Sequence, residues 1–309
     1  PPRSTLFPYT TLFRSALRGP GQGLVSALTE EHMLQAGKHP GKINLTDVDN
    51  GINILQYLTA KPACVILKHN NPCGAAWTDE GPAAALARAF AADRIAAFGG
   101  TVVFNRPVDE ACAQTINSSY FEVVAAPGYS GGSLEILKKR KNLRILQIPG
   151  LAALAALAGQ PFLDLKSLCD GGVVAQFSFV NRIRSAADFL PAAAEKDGVA
   201  VDARKPTPAE ADDLLFAWAV ESGVSSNSVI FVKDGCTVAI GTVRVAARDI
   251  VVADANGVVV VPRGHAREVA ETARRIEETE SRIREQIVQG KTLGEARAAL
   301  GYHKLQAKE

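Results

Sequence analysis

Lys68-His69-Asn70-Asn71-Pro72-Cys73-Gly74 places a cation, an imidazole and two amides in four consecutive residues, then a proline and a glycine. Lysine beside histidine sets a fixed positive charge next to a group that titrates near neutrality. The charge favours the neutral imidazole, so His69 could act as a base while Lys68 faces developing negative charge. The same two residues could equally be a solvated lysine and a turn-capping histidine. Chemistry here needs a rigid element to hold the pair. Ala63-Cys64-Val65-Ile66-Leu67 is an unbroken apolar run suited to a buried strand of a parallel sheet. Pro72 and Gly74 then punctuate a turn. Pro82 opens an alanine-rich stretch of helix formers reaching Asp93. Strand, loop and helix in that order predict the start of a βαβ unit, with the reactive pair where the strand ends.

The flanking pattern supplies the other elements. Asp47 to Leu58 predicts a helix, with Val48, Ile52, Ile54, Leu55 and Leu58 near helical spacing. Gly99-Gly100 interrupts the run from Ala96 to Phe104, either for close backbone approach to a ligand or as a bend into a strand. Asp109 to Ile116 predicts a short helix, Phe121 to Ala126 a strand, Ser133 to Asn142 a helix and Leu143 to Ile148 a strand. Lys138 to Lys141 reads as the solvated end of that second helix. Residues 151–158 read as a buried or amphipathic helical turn. Thr207-Pro208-Ala209-Glu210 is a capping box opening a helix to Ser222, with Leu214, Leu215, Trp218 and Val220 expected on its core face. Asp234-Gly235 and Asn256-Gly257, each between apolar runs, predict hairpins. A long charged helix is expected from His265 to Gln289, with Val269, Ile276, Ile283 and Ile287 as a thin apolar stripe. Thr292 to Glu295 caps a last short helix.

Composition narrows the function classes. Apolar residues make up 47% and charged residues 21% of 309, as in a soluble globular protein. A net charge of +2 predicts neither a nucleic-acid nor a membrane partner. Five cysteines, odd in number and spread along the chain, argue against a disulfide framework and for a cytoplasmic setting. Pro72-Cys73 superficially matches the start of a zinc-deaminase motif. Ala76 stands where the second cysteine belongs, so no metal is expected.

The Lys-His segment resembles the signature of the AICAR transformylase family, the formyl-transfer part of bifunctional purine-synthesis enzymes. Gly41-Lys42-Ile43-Asn44-Leu45-Thr46-Asp47, Phe98-Gly99-Gly100, Glu122 with the following Val-Val-Ala-Ala-Pro-Gly-Tyr, and Ser226-Asn227-Ser228 resemble family segments in the same order. The resemblance spans about residues 41–242. It implies a layered α/β/α fold of the cytidine-deaminase-like kind. It implies formyl transfer from 10-formyltetrahydrofolate, as co-substrate, to AICAR ribonucleotide in purine (IMP) biosynthesis. His69 would then transfer the proton, Lys68 would stabilise the oxyanion and Asn227 would orient the reacting groups. Asn44, Phe98, Gly99 and Glu122 would line the nucleotide pocket. No metal takes part, and family members are homodimers. From the residues alone, Glu122 could be an exposed edge carboxylate and Asn227 a turn-stabilising amide.

The two ends differ from the middle. Residues 1–15 carry the near-repeat Ser-Thr-Leu-Phe and Thr-Thr-Leu-Phe and read as an adapter or fusion scar, or as a natural tail. The family's upstream R-Y-G and N-P-H-Q segments are not found, which predicts impaired activity. Residues 243–309 resemble the end of the 4-hydroxy-4-methyl-2-oxoglutarate aldolase family, which includes regulators of RNase E activity. They form an expected strand hairpin and long helix without that family's metal-binding Gly-x-x-x-Arg-Asp core. The expectation is a chimera: a scar, a partial transformylase domain over 16–242, and an aldolase-like tail. The alternatives are a magnesium-dependent aldolase or an inactive hybrid.

Overall fold

The computed structural model describes residues 24–37, 40–190, 193–196, 199–202, 205–225, 228–241, 250–254, 257–261 and 263–302. The expected scar at 1–15 lies outside them. In chain order the first compact unit, which spans residues 1–242 and 255–257, contains β1 (Met33–Gln35), α1 (Lys42–Leu55), β2 (Ala63–Lys68), β3 (Asn71–Trp77), α2 (Pro82–Ala92), β4 (Gly100–Phe104) and α3 (Glu110–Ser118). It continues with β5 (Phe121–Ala126), α4 (Ser133–Lys138), β6 (Arg144–Gln147), a 3-10 segment (Pro149–Ala156), β7 (Leu163–Ser167) and β8 (Val173–Phe177). Then come β9 (Ala193–Lys196), β10 (Val199–Asp202), α5 (Pro208–Glu221), β11 (Val229–Lys233) and β12 (Cys236–Gly241).

Eight strands form one mixed sheet in the order β1-β6-β5-β4-β2-β3-β12-β11. Strands β4, β5 and β6 run parallel, while every other pairing in the sheet is antiparallel. Alternation along the strands sends successive side chains to opposite faces. Val65 and Leu67 of β2, with Val123 and Ala125 of β5, join Val48, Ile52 and Leu55 of α1 and Phe216 and Val220 of α5. Cys64 and Ile66, with Val124 and Ala126, join Leu86 and Ala89 of α2, Cys112 and Ile116 of α3 and Leu137 of α4. The result is a three-layer α/β/α arrangement, as the sequence implied. Phe104, Phe121 and Phe216 are fully buried, and each such side chain contributes about 1.5–3 kcal/mol of burial.

The expected βαβ start is not what forms. Strand β2 is antiparallel to both β3 and β4. The chain reverses at His69-Asn70, not at Pro72 and Gly74, because Lys68 already pairs with Asn71. A continuous apolar run reports burial on both faces, and here both faces are covered; it carries no information on strand direction. Pro72 and Gly74 lie inside β3. The register slips by one residue there, with Ile66 opposite Gly74 and Leu67 opposite Pro72, a bulge that relieves proline's missing donor. Gly74 serves packing instead of turning: a Cβ at this position would run into the Ala89 carbonyl of α2.

Helix α5 starts at the predicted Thr207 cap, whose hydroxyl accepts from the Glu210 amide. Its buried face is Ala211, Phe216, Ala219 and Val220. Of the expected core residues, Leu214 and Trp218 are nearly half exposed, because the helix presents the 211/216/219/220 side to the sheet.

The second compact unit covers residues 243–254 and 258–309. It holds β13 (Ile250–Asp254) and, from its second residue on, β14 (Gly257–Val261), which form a two-stranded ribbon, then α6 (Ala266–Val288) and α7 (Leu293–Ala299). Thr292 caps α7 reciprocally with Glu295. Ile283 of the apolar stripe is buried, while Val269 and Ile287 remain exposed.

Candidate active site

Helix α1 begins at Lys42, five residues before the expected Asp47. Asn44 and Asp47, three apart, therefore share one helix face. The Asn44 side chain accepts from the Gly41 amide at 3.1 Å and closes the first turn. Asp47 is 4% exposed and reaches the sheet. Its carboxylate accepts from the Asn70 amide at 2.6 Å and from the Thr101 hydroxyl at 3.2 Å. Burial raises the Asp47 pKa above its ordinary 3.8, against the lowering effect of these hydrogen bonds and of His69.

The two residues of the reversal both have positive φ, 54° at His69 and 63° at Asn70, as a two-residue type I′ hairpin requires. Asn50 Nδ2 donates to the Asn70 carbonyl at 2.9 Å and to the Gly223 carbonyl at 2.8 Å. The Ser225 amide donates to Asn71 Oδ1 at 3.0 Å. The turn is thus tied to α1 on one side and to the chain following α5 on the other. Asn227 itself lies outside the described residues.

Lys68 ends β2 with its ammonium donating to the Phe98 carbonyl at 2.8 Å. Phe98 is 60% exposed. Its ring stacks on Tyr120, centroids 4.8 Å apart. The Arg140 guanidinium lies 5.2 Å from the Tyr120 ring and donates to the Ile116, Ser119 and Phe121 carbonyls. Gly99, at φ 75°, lets its amide turn back to the Tyr120 carbonyl at 2.7 Å. Glu122 pairs with the nearly buried Arg144 at 3.3 Å.

These elements enclose an open cleft of about 840 Å³. Six residues proposed from the sequence line it: Asn44, Lys68, His69, Phe98, Gly99 and Glu122. Sequence reasoning missed Lys42, Asp47, Tyr120 and Arg144, which line it too. Lys42 and Asp47 stood inside the quoted Gly41–Asp47 segment without a role. Tyr120 and Arg144 carried no signal, because the stack on Phe98 brings in the first and the parallel register of β6 on β5 the second. Among the described residues no group of three or more His, Cys, Asp or Glu side chains is placed to hold a metal ion. None of their helices is long and apolar enough to cross a membrane.

A model of the AICARFT/IMPCHase bienzyme family matches residues 18–252. The chain belongs to this family. The match starts upstream of Gly41 and runs ten residues past Thr242, so it is wider than the motifs alone suggested. The bifunctional purine biosynthesis protein PurH of Roseobacter denitrificans is 38% identical over 222 residues, which cover 69% of this chain and 39% of that relative. The chain thus spans about two fifths of the length of the curated relative it matches.

Proposed function

We propose that this member of the bienzyme family carries the formyl-transfer chemistry, moving a formyl group from 10-formyltetrahydrofolate to the amine of AICAR ribonucleotide. One observation carries the reading: the Lys68-His69 turn opens on the same cleft as Asn44, Phe98, Gly99 and Glu122. An amine conjugated to an imidazole ring is a poor nucleophile and needs a base as it attacks. His69, exposed at the tip of a braced turn, takes that proton. Lys68 keeps two further N–H donors beside the one spent on Phe98 and stabilises negative charge on the acyl oxygen. The stacked Phe98 and Tyr120 rings suit flat heterocycles such as those of both substrates. Lys42 and the N-terminus of α1 add positive potential at the cleft edge for a nucleotide phosphate. Asn227 orients the reacting groups, two residues beyond the anchored Ser225. By the family resemblance the chain works as a cytoplasmic homodimer.

Of the expected aldolase-like tail, residues 243–252 fall within the family match, and residues 253–309 enter this reading as a structural tail that adds no chemistry. Magnesium-dependent cleavage of 4-hydroxy-4-methyl-2-oxoglutarate by the chain would overturn that assignment. For the main reading, thermal unfolding with AICAR ribonucleotide at about 100 times its dissociation constant should show about 2.7 kcal/mol of stabilisation. Phe98→Ala should diminish the shift. A nucleotide that leaves the melting temperature unmoved would sink the reading.

A further inference from the structure

Two arginines stand beside the cleft and are bonded differently. Arg140 donates to the Ile116, Ser119 and Phe121 carbonyls and so ties the end of α3 to the start of β5. That is the bonding of a structural arginine. Arg144, the first residue of β6, has no such web. Among the described residues its side-chain hydrogen bonds go to Glu122 alone, from Nη1 to Oε2 at 3.3 Å and to the carbonyl at 3.5 Å. Both are long. Its Nε is buried and has no partner. A guanidinium carries five N–H donors and a full charge. Burying it with a donor unmet is costly, and one long ion pair does not offset that. Apolar side chains in place of the two would serve the fold as well. The reason for Arg144 lies with what Glu122 does.

Glu122 faces two ways. Its side chain is 40% exposed, against 10% for Arg144. Oε2 meets Arg144. Oε1 turns toward Gly99 and the Phe98–Tyr120 stack: a methyl group on Gly99 would lie 3.9 Å from Oε1 and 3.6 Å from Tyr120 Cε1. Among the described residues none donates a hydrogen bond to Oε1. An acceptor oxygen beside two stacked rings is placed to take an N–H or O–H of a ring-bearing ligand.

We propose that Arg144 is a positioning residue for nucleotide binding, holding Glu122 by Oε2 so that Oε1 is presented to the ligand. Glutamate has three rotatable side-chain bonds and loses rotamer freedom when a ligand fixes it. Held by Arg144, it has lost that freedom before the ligand arrives, so more of the hydrogen-bond energy appears as affinity. Lys68 and His69 carry the chemistry, so Arg144 governs affinity and leaves the transfer step alone. The proposal rests on the reading that the cleft takes AICAR ribonucleotide.

A double-mutant cycle on the full chain tests it, reading AICAR ribonucleotide affinity by titration calorimetry and the formyl-transfer rate at saturating nucleotide. Arg144→Met should weaken binding by about 10–100-fold, the worth of one hydrogen bond to a charged group. The saturated rate should stay within about twofold of the wild type. Arg144→Lys keeps a charged donor and should recover most of the affinity. Glu122→Ala should also weaken binding, and adding Arg144→Met to it should weaken binding no further, because Arg144 acts through Glu122. The double variant leaves no unpaired buried charge, so its comparison with Glu122→Ala decides the matter even if Arg144→Met alone does not fold. Losses that add, an Arg144→Met that binds as tightly as the wild type, or a fall in the saturated rate overturns the proposal. A wild type that binds no nucleotide fails the reading of the cleft and the proposal with it, whereas a wild type that binds while the losses add fails the proposal alone.

Discussion

His69 sits where its backbone would favour glycine. A non-glycine residue in the left-handed region costs roughly 1–2 kcal/mol, and His69 and Asn70 both occupy it. Asparagine tolerates that conformation through local hydrogen bonding, whereas histidine gains little from it. His69→Gly is therefore expected to hold or raise stability, by up to about 1 kcal/mol, while removing the imidazole; chemical denaturation measures this. Asp47 braces the same turn. Asp47→Ala should cost about 1–3 kcal/mol by leaving the Asn70 amide without its acceptor. Asp47→Asn keeps an acceptor for that amide and should cost much less. The pH dependence has a definite sign. Burial raises the native pKa of Asp47, so the folded state holds its proton more tightly than the unfolded state does. Stability from this group is fully present below the unfolded value and declines as pH rises through the native one. Asp47→Asn should flatten that decline in acid-range unfolding curves. The thiols divide cleanly. Burial pushes Cys73 up to about 12 and raises Cys64, Cys112 and Cys236 as well, whereas Cys169 is exposed. A thiol reagent at neutral pH should label Cys169 well ahead of the others.

At the scale of elements, what was legible depended on whether a feature was local. The Asp234-Gly235 hairpin was predicted because that dipeptide favours the positive φ that both residues show, 52° and 67°. The His69-Asn70 reversal uses the same geometry but was missed, since histidine is not a turn former and Pro72 and Gly74 nearby mimic the usual signals. The apolar run of β2 correctly reported two covered faces and said nothing of direction. Helix α5 showed its cap in four residues, and Val220 of its expected core face is buried, but Leu214 and Trp218 lie largely outside that face, where the small Ala211 and Ala219 pack instead. Gly74 gives a test at this scale. Gly74→Ala should destabilise by about 1–3 kcal/mol, because α2 must move off β3 to admit the methyl; thermal unfolding would register the loss.

Over the whole molecule, six of the seven proposed site residues lie on one cleft although they come from four separated stretches of sequence, while Asn227 lies outside the described residues. Contiguous motifs made them legible. Tyr120 and Arg144 were not, because a parallel register and a stacked ring bring them in. All the cleft residues belong to the first compact unit. A chain ending at Thr242 should accordingly keep AICAR ribonucleotide binding, as titration calorimetry would show.

The most direct measurement is single-turnover formyl transfer to AICAR ribonucleotide by the wild type and by His69→Gly, with nucleotide affinity determined alongside. Loss of the base should lower the transfer rate by about 10²–10⁴-fold while affinity stays nearly constant. A variant that transfers the formyl group as fast as the wild type would contradict the account.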